Sequence, residues 1–393
     1  MRIAILTTDN REQWGRYDLP VPIFGPALSA LLEGFAMLGD EIEVHVISCS
    51  KKRMAAPAKI SGNIWFHQPI VPRLGWGRSL FLGCAFAVRR LLREIQPDIV
   101  HGQGTERDCS VSAVLSAYTN VITIHGNMRA VGRSLNARAF SYYWLAGKLE
   151  EFALLRTDGV FCNSSYTKSE VGDLCTRKWD VPNCLLNQFF SPFPPEETRK
   201  KNIVVLGIIT TYKRSLEILK MWIGIANRFP DVKLVFIGKS GSGPYGQEFN
   251  RLINDPSVRN CAAHYDWIEG QKLVDTLDSA RGMIHFPAEE AFGLAVAEGV
   301  SRNLKVFAAA TGGIPDVVKD CECVELLDPN DWALLAEKIS AWIAKGMPLG
   351  ASSEVMYNRF SPLVIARIHA DIYRKLYLKK SHLSNEIKLW KDN

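Results

Sequence analysis

The chain has 393 residues, of which 47% are hydrophobic and 22% are charged. This composition excludes a disordered chain, and the length exceeds what one compact core holds, so two domains are predicted. The net charge of +6 is mild. It suits an anionic small ligand or an anionic membrane face, and no basic run of the kind that binds nucleic acid is present.

The sequence disfavours secreted, membrane-spanning and zinc-binding proteins. The N-terminal run RIAILTT is too short for the apolar region of a secretion signal, and no stretch approaches the ~18 apolar residues that span a bilayer. The nine cysteines contain no CxxC pair. We therefore expect a cytoplasmic protein with free buried thiols and no metal site.

The first half alternates short β-branched runs with amphipathic stretches, the pattern of strands followed by helices. Helices are predicted over residues 26–38, with Pro26 in the first turn, and over 84–95. The predicted strands cover residues 2–8, 43–48, 98–104, 120–127, 159–165 and 184–189.

The second half repeats this alternation. Its predicted helices cover residues 215–229, 271–280 and 293–302. Its predicted strands cover residues 202–209, 232–243 (which runs into a Gly/Ser loop), 282–288 and 304–310. Alternation at this spacing indicates parallel sheets covered on both faces. The predicted fold class is therefore α/β, with two doubly wound Rossmann-like domains facing across a cleft.

The division between the domains is predicted at a proline-rich, non-periodic stretch. The expected segments are an N-terminal domain over 1–190, a linker over 191–201, a C-terminal domain over 202–357, a C-terminal helix over 358–378 that packs back on the N-terminal domain, and a polar tail over 379–393.

The stretch FPAEEAFGLAVAEG (286–299) follows a predicted strand and places Gly293 at the start of a helix. The first N–H groups of a helix have no partner inside the helix and carry partial positive charge. A phosphate bound near Phe292, Gly293 and Leu294 would satisfy them, and glycine allows a ligand to approach the backbone.

Two acids flank this glycine. Glu298, about one and a half turns into the helix, could accept hydrogen bonds from both hydroxyls of a ribose. Glu290, ahead of the helix, could bind a sugar hydroxyl or stabilise developing positive charge. A purely structural interpretation stays open, because glutamate near a helix N-terminus contributes about 0.3–1 kcal/mol to stability by itself.

The spacing P-x-x-E-x-F-G-x-x-x-x-E, followed by TGGIPDVV (311–318), resembles the donor-site signature of the family 4 glycosyltransferases, which have the two-domain GT-B fold. The resemblance extends over most of the chain. Further similar segments are QPDIVHGQG (96–104), VITIHGN (121–127), TDGVFCNSSYTKSEV (157–171) and LLNQFF (185–190).

This resemblance implies a retaining transferase of the hexosyltransferase type. The donor would be a nucleoside-diphosphate sugar, and the acceptor a glycan or lipid-linked saccharide, as in polysaccharide or glycoconjugate assembly. It implies no cofactor and no required metal, since fixed cations can neutralise the leaving diphosphate. The N-terminal domain would bind the acceptor and the C-terminal domain the nucleotide-sugar.

The resemblance also assigns residues to roles. The implied catalytic residues are Glu290, Lys213 and His125. The implied donor-binding residues are Glu298, Phe292, Gly293, Leu294, Gly207, Arg214 and Lys239. The implied acceptor-binding residues are Gly25, His101 and Gln103, joined by Trp14, Arg16 and Tyr17 of the long loop over 9–25, because long loops in compact domains are often functional.

The sequence departs from the family at one expected diphosphate cation. Ile208 follows Gly207 where an arginine is common, and Arg214 replaces the glycine after Lys213. Either Arg214 or Lys239 could compensate. Two alternatives stay open: a nucleotide-sugar 2-epimerase that uses acids such as Glu106 and Asp108, and a non-catalytic nucleotide-binding partner subunit.

A basic stretch suggests peripheral contact with an anionic membrane. Its arginines at 78, 89, 90 and 93 interleave with the apolar residues Trp76, Phe81, Phe86 and Leu92. Such an amphipathic segment can lie on anionic lipid, at the inner face of the membrane. A core helix with a charged outer face explains the same pattern.

Overall fold

The computed structural model describes the backbone of residues 1–391 and the side chains of residues 1–378. The side chains of the polar tail predicted over 379–393 therefore lie outside the described residues. Among the residues described, no helix combines the length and the apolar character needed to cross a membrane.

The strands are short; those in the middle of each sheet are mostly buried, and those at the sheet edges are partly exposed. They are β1 (Arg2–Leu6), β2 (Glu43–Ile47), β3 (Lys59–Ser61), β4 (Ile64–His67), β5 (Ile99–Gln103), β6 (Asn120–Ile124), β7 (Val160–Cys162), β8 (Lys178–Asp180), β9 (Asn202–Leu206), β10 (Lys233–Ile237), β11 (Ala262–Tyr265), β12 (Gly282–His285), β13 (Lys305–Ala309) and β14 (Val324–Leu327).

Helices connect most of these strands. They are α1 (Asn10–Trp14), α2 (Pro26–Leu38), α3 (Leu82–Ile95), α4 (Asp108–Val114), α5 (Met128–Ser134), α6 (Tyr142–Leu154), α7 (Ser165–Val171), α8 (Ser215–Ala226), α9 (Pro244–Ile253), α10 (Gln271–Asp278), α11 (Leu294–Ser301), α12 (Ile314–Val317), α13 (Trp332–Ala344), α14 (Ser353–Phe360) and α15 (Pro362–Lys391). Single 3₁₀ turns occur at Gly39–Glu41, Arg73–Gly75, Gly77–Ser79, Gly172–Leu174, Asn187–Phe190 and Glu196–Thr198.

The first compact unit comprises Met1–Leu186 and Pro362–Asn393. Its eight-stranded sheet has the order β3-β4-β2-β1-β5-β6-β7-β8, and all neighbours are parallel except β3 and β4. Helix α15 packs on α2 at Gly34, where a Cβ atom would lie 2.1 Å from the carbonyl oxygen of Pro362. That close contact admits only glycine and joins the end of the chain to this unit.

The second compact unit comprises Asn187–Ser361. Its six strands are all parallel, in the order β11-β10-β9-β12-β13-β14. Trp222, Phe236 and Phe307 belong to a large buried cluster between this sheet and its helices. Both units are therefore Rossmann-like, as the strand–helix alternation predicted.

The unit boundary falls between residues 186 and 187, a few residues before the division expected at 190. The segment expected to be a linker lies against the second unit. Arg302 is completely buried there and donates hydrogen bonds to the carbonyl oxygens of Phe189 (3.1 Å), Ser191 (2.7 Å) and Pro192 (3.3 Å). Its charge is balanced by Asp278 at 2.7 Å.

Two local predictions were wrong. No strand forms over residues 184–189: Asn187–Phe190 is a 3₁₀ turn, and the carbonyl group of Phe189 binds Arg302 instead of a neighbouring strand. The last strand of the first sheet is β8, further upstream. The segment over 9–25 is not a continuous loop, since Asp9 caps helix α1 by accepting a hydrogen bond from the backbone N–H of Arg11.

Candidate functional site

The strand order of the second sheet reverses around β9, which pairs with β10 on one side and β12 on the other. In open parallel sheets, ligands bind outside the carboxyl ends of the strands at such a reversal. The chain leaves β9 through Gly207 and β12 through Phe286. The two segments meet where the N–H of Ala288 donates to the carbonyl oxygen of Tyr212 at 2.8 Å.

Backbone lies close to backbone at this edge. Gly238, which follows β10, has φ of +150°, and a Cβ atom there would lie 2.0 Å from the carbonyl oxygen of Gly207. Gly207 itself has φ of +143°. The N–H of Ile209 then donates to the carbonyl oxygen of Lys239 at 2.9 Å. The glycines thus permit a tight surface of main chain beside the site.

Lys213, Glu290 and His285 form a connected polar group. The ammonium of Lys213 forms an ion pair with Oε2 of Glu290, and Nε2 of His285 lies 2.9 Å from the same oxygen. Burial would raise the pKa of Glu290, but the His285 hydrogen bond and the Lys213 charge outweigh it and lower that pKa to about 2. Glu290 is therefore ionised at neutral pH.

The loop after β13 fixes the backbone of Glu290. The N–H of Gly313 donates to the carbonyl oxygen of Glu290 at 2.9 Å. Gly312 has φ of +54°, and a Cβ atom there would lie 1.8 Å from that same oxygen. The two glycines predicted from the TGGIPDVV segment therefore allow the β13 loop to hold the acid-bearing loop.

Helix α11 begins as predicted, with Gly293 as its N-cap at φ of +102° and no side chain capping its first N–H groups. Phe292 is buried and packs edge-on against Phe360, with ring centroids 5.7 Å apart. The N–H groups of the first turn, starting at Leu294, are thus available to an anion.

Glu298 lies on α11, five residues beyond the N-cap, and is 7% exposed. Its carboxyl group forms no hydrogen bond or ion pair with any side chain or backbone group among the described residues. Burial raises its pKa to about 8. A buried acid without a protein partner costs free energy, so it marks a place where a ligand can supply the missing hydrogen bonds.

The two basic residues proposed to replace the missing arginine are placed differently. The guanidinium of Arg214 donates to the carbonyl oxygen of Pro329 in the loop after β14 and lies 6.0 Å from the ring of Trp332. The ammonium of Lys239 lies over the ring of Trp267, 5.6 Å from its centroid. Arg214 and Lys239 both lie at the carboxyl edge of the second sheet. Of the three basic residues Lys213, Arg214 and Lys239, it is Lys213 that forms the ion pair with Glu290.

In the first unit, His125 ends a chain of hydrogen bonds. Its Nε2 lies 2.8 Å from Oε1 of Gln103, whose amide nitrogen lies 3.2 Å from Nε2 of His101. Nδ1 of His101 in turn contacts the hydroxyl of Tyr373 on α15. Since the Gln103 oxygen can only accept, His125 carries its proton on Nε2.

These histidines are neutral. Burial lowers the pKa of His125 to about 4, with a partial offset from its hydrogen bond to Asn183. Burial also holds the pKa of His101 well below its usual value. His101 is completely buried and both of its ring nitrogens are occupied, the second by Thr123 at 2.7 Å, so it supports Gln103 and His125 from within the core. The prediction that His101 itself contacts an acceptor conflicts with this burial.

The predicted acceptor residues of the 9–25 segment are exposed to different degrees. Arg16 forms an exposed ion pair with Asp18 at 3.1 Å, and the ammonium of Lys52 lies 5.2 Å from the ring of Tyr17. Trp14 is exposed at the end of α1. Gly25 caps α2, and a Cβ atom there would meet no atom within 4 Å. Space for a ligand therefore exists at Gly25.

A buried ion pair that the sequence analysis missed shapes this segment. Asp9 and Arg11 are both completely buried and lie 2.6 Å apart. Arg11 also donates to the carbonyl oxygens of Leu19 (2.6 Å) and Ala55 (2.7 Å), and Asp9 accepts from the N–H of Ile23 (3.2 Å). The position of Asp9 just beyond strand β1 was the available signal.

His285 was also missed, although a histidine inside the otherwise apolar run GMIHF was a usable signal.

A cluster in the first unit brings metal-ligating atoms together. Those of Cys49, Cys84 and Asp108 lie within 4.8 Å of one another, and all three residues are buried. Burial raises the pKa of Asp108, which disfavours the ionised form that a metal needs. The expectation that no metal is required stays a prediction.

Two family descriptions match the chain. Residues 28–181 match glycosyltransferase family 4, and residues 187–358 match glycosyl transferases group 1. The two matched ranges together cover most of the chain, one in each compact unit.

Curated relatives are glycosyltransferases. The phosphatidylinositol N-acetylglucosaminyltransferase GPI3 subunit of Saccharomyces cerevisiae is 24% identical over 267 residues, which cover 64% of this chain and 55% of the relative. The sulfoquinovosyl transferase SQD2 of Arabidopsis thaliana is 30% identical over 124 residues, or 32% of this chain and 22% of the relative. The chain thus spans little more than half the length of the first relative.

Solved structures show the same fold. The Anabaena protein HepE in complex with UDP-glucose has a TM-score of 0.71 at 15% identity and covers 95% of this chain and 100% of its own. Sucrose-phosphate synthase from Thermosynechococcus elongatus has a TM-score of 0.68 at 15% identity, with 99% of both chains covered. Together with the matched ranges and the geometry around Gly293, these findings assign the chain to the family 4 glycosyltransferases, with the GT-B type of fold.

Proposed function

We propose that this glycosyltransferase transfers a sugar, with retention at the anomeric carbon, from a nucleoside-diphosphate sugar to a glycan or lipid-linked saccharide. The donor would bind at the carboxyl edge of the second sheet. The relative that acts on phosphatidylinositol and the structural neighbour solved with UDP-glucose support a lipid-linked acceptor and a nucleotide-sugar donor. UDP is therefore the first nucleotide to test.

The buried carboxyl group of Glu298 is the single observation that carries the proposal. It has no partner among the described residues, and burial raises its pKa to about 8. A ribose diol would offer two hydroxyl donors to this group. Glu298 lies five positions beyond Gly293, which corresponds to a helical rise of about 7.5 Å, a separation that suits a diphosphate at the helix start and a ribose beside the acid.

Lys213 would stabilise the leaving group. In the structure it forms an ion pair with Glu290, so its position is already fixed before any ligand arrives. Breakage of the bond between the anomeric carbon and the phosphate oxygen places negative charge on the diphosphate. A cation held nearby lowers the barrier because it needs no rearrangement as that charge develops.

For retention, the acceptor hydroxyl would attack on the same face from which the diphosphate leaves. The new bond joins the acceptor oxygen to the anomeric carbon, and the acceptor proton passes to the departing phosphate oxygen. His125, neutral and held by Gln103, would orient a sugar hydroxyl. Ionised Glu290 would stabilise the positive charge that develops on the sugar.

The test is a thermal-unfolding screen of the full chain against UDP, GDP, ADP and their sugars, followed by product analysis of any stabilising donor. We expect stabilisation by at least one diphosphate, then slow hydrolysis or transfer that gives a product of unchanged anomeric configuration. Release of a free 2-epimer would instead support the epimerase, for which Glu106 and Asp108 are the acids to mutate. Binding without turnover would support a non-catalytic partner, and no binding would refute the donor site.

We also propose that the protein works in the cytoplasm at an anionic membrane face, where a lipid-linked acceptor would be presented. The physical basis for that contact lies in the first unit, whereas the residues assigned to the donor belong to the second.

A further inference from the structure

One long part of the first unit contains basic residues and no acidic residue of its own, although Lys51 within it forms an ion pair with Glu12 at 2.8 Å. No aspartate or glutamate occurs between Glu43 and Glu94. The same interval contains nine cationic residues: Lys51, Lys52, Arg53, Lys59, Arg73, Arg78, Arg89, Arg90 and Arg93. Such a run of one sign attracts an anionic surface.

The arginines at the end of this interval are exposed and unneutralised. Among the side chains that the structure describes, none of the five from Arg73 to Arg93 forms an ion pair with a carboxylate, whereas Arg2, Arg16 and Arg251 elsewhere on the surface do. Their guanidinium groups therefore remain available to phosphate groups of a partner.

Large apolar side chains are exposed among these arginines. Phe86 and Leu74 are each 71% exposed, and Ile70, Leu80 and Leu82 are each between 45% and 48% exposed. Isolated exposed apolar residues are common, but a group of five in seventeen residues of sequence, rimmed by unpaired arginines, marks an interaction surface.

Helix α3 sorts its residues between the core and this surface. Cys84, Val88 and Leu92 are buried in a core cluster. On the opposite side, Leu82, Phe86 and the arginines at 89, 90 and 93 follow one another at intervals of three or four residues and so form one exposed stripe. The apolar residues of this stripe lie in the first half of α3, and its arginines lie in the second half.

The turn before α3 is braced in place. The indole of Trp76 is buried and donates to the carbonyl oxygen of Val71 at 3.0 Å. A Cβ atom on Gly75 would lie 3.0 Å from the Cα of Gly83 on α3, so the turn packs closely on the helix. Trp76 and Leu92 thus belong to the core, which agrees at these two positions with the alternative of a core helix with a charged outer face.

Two consecutive residues of this turn have strained backbones. Leu80 and Phe81 have φ of +52° and +64°, which non-glycine residues rarely adopt. Strain of this kind persists where the surroundings enforce it and is common at functional sites. Here it accompanies the outward position of the Leu80 side chain.

A groove of about 510 Å³ borders the surface. Its lining combines the apolar residues Phe66, Ile70 and Leu91 with Arg90 and with three other polar residues, His67, Gln68 and Glu94. The apolar residues and Arg90 match the two parts of a phospholipid, an acyl chain and a phosphate.

We propose that this surface, formed by Ile70, Leu74, Leu80, Leu82, Phe86 and the five arginines from 73 to 93, docks the protein on an anionic phospholipid bilayer. The apolar side chains enter the interface while the arginines bind lipid phosphates. This assignment rests on the membrane contact proposed above and gives it a location, but it does not depend on the donor site.

The test is co-sedimentation of the full chain with vesicles of phosphatidylcholine alone or mixed with phosphatidylglycerol. We expect binding to the anionic vesicles that weakens with salt. The double variant Arg89→Glu and Arg90→Glu should reduce the partition coefficient by at least about 20-fold, since one cation near such a surface contributes roughly fivefold. Phe86→Ser should reduce it by about tenfold.

Arg259→Glu, at an exposed arginine of the second unit, and Phe140→Ser, at an 87% exposed aromatic elsewhere in the first unit, are the matched controls and should retain binding. Thermal unfolding and nucleotide binding, measured on the same preparations, separate a folding defect or a failed donor site from a lost membrane surface. Absence of binding to anionic vesicles overturns the proposal. Unchanged binding of both the double arginine variant and Phe86→Ser also overturns it. A larger loss of vesicle binding in Phe140→Ser than in Phe86→Ser does so as well.

Discussion

Replacement of Glu298 by glutamine should have two opposite effects. The carboxyl group is buried without a protein partner, so the protein without ligand should gain stability at neutral and alkaline pH when the titrating group is removed. The same change should replace one of the two acceptor oxygens that we assign to the ribose diol by an amide NH2 group, which can only donate. Stability of the empty protein and response to nucleotide should therefore move in opposite directions.

The magnitude follows from the pKa of Glu298, which burial raises from 4.5 to about 8. Between these values the folded protein holds a proton that the unfolded chain has released. The free energy of unfolding is therefore not reduced by Glu298 below about pH 4.5, and it decreases as the pH rises from there to about 8. At 1.36 kcal/mol per pH unit, the group costs the native state about 3 kcal/mol at pH 7.

The assay is urea unfolding followed by tryptophan fluorescence at about pH 5 and about pH 8.5. Glu298→Gln should gain about 4 kcal/mol relative to the wild type between these two conditions, because only the wild type loses the proton-linked stability. Saturating nucleotide, at about 100 times its dissociation constant, should add about 2.7 kcal/mol to the wild type and almost nothing to the variant.

Glu150→Gln is the matched control. Glu150 is 2% exposed and burial raises its pKa, yet its carboxylate accepts hydrogen bonds from Thr105 (2.6 Å) and the N–H of Met128 (3.0 Å). Its replacement should destabilise the protein and leave the nucleotide response intact. A stability difference between Glu298→Gln and wild type that does not change with pH would refute the assigned burial, and a full nucleotide shift in that variant would refute the ribose role.

Three further changes test the remaining geometry. Gly312→Ala places a Cβ atom 1.8 Å from the carbonyl oxygen of Glu290, at a residue whose φ is +54°. It should lower the free energy of unfolding in urea by well over 1 kcal/mol, and an unchanged free energy would contradict the tight turn. Lys213→Met should lower kcat for donor cleavage by about 10²–10³, and an unchanged rate would exclude it from leaving-group stabilisation. Gln103→Leu leaves Nε2 of His125 without its acceptor and should reduce transfer at least tenfold while nucleotide binding stays normal; equal loss of both would indicate misfolding.

The sequence predicted those parts of the fold that depend on local pattern. Helix α2 was predicted with its observed bounds, because Pro26 and the apolar spacing are both local signals. The edge strand β3 and its neighbour β4 were missed because they have three and four residues, too few for a period to show. The apolar run at 184–189 was misassigned because burial there comes from packing and from contacts with Arg302, which lies more than a hundred residues further along.

The candidate site divides in the same way. The positions of Gly293 at a helix start and of Glu298 in the same helix were predicted correctly, because these residues are adjacent in sequence. The pairing of Lys213 with Glu290 was not predicted, since it joins residues 77 positions apart, nor was the contribution of His285 to the same carboxylate. Pairings of this kind depend on which strand ends are neighbours, which the strand order decides.

The environments of Glu290 and Glu298 shift the pKa values of the two acids in opposite directions. Contacts with His285 and Lys213 lower the pKa of Glu290 to about 2, while burial alone raises that of Glu298 to about 8. At neutral pH one acid is therefore charged and already paired, and the other is neutral and unpaired. Environments that separate two acids in this way assign them different tasks. In the proposed donor site, Glu290 would hold the cation in position before the donor arrives, and Glu298 would stay unsatisfied until a diol is bound. Ionisation of Glu298 by a bound diol would then release a proton, which calorimetry in buffers of different ionisation enthalpy can measure.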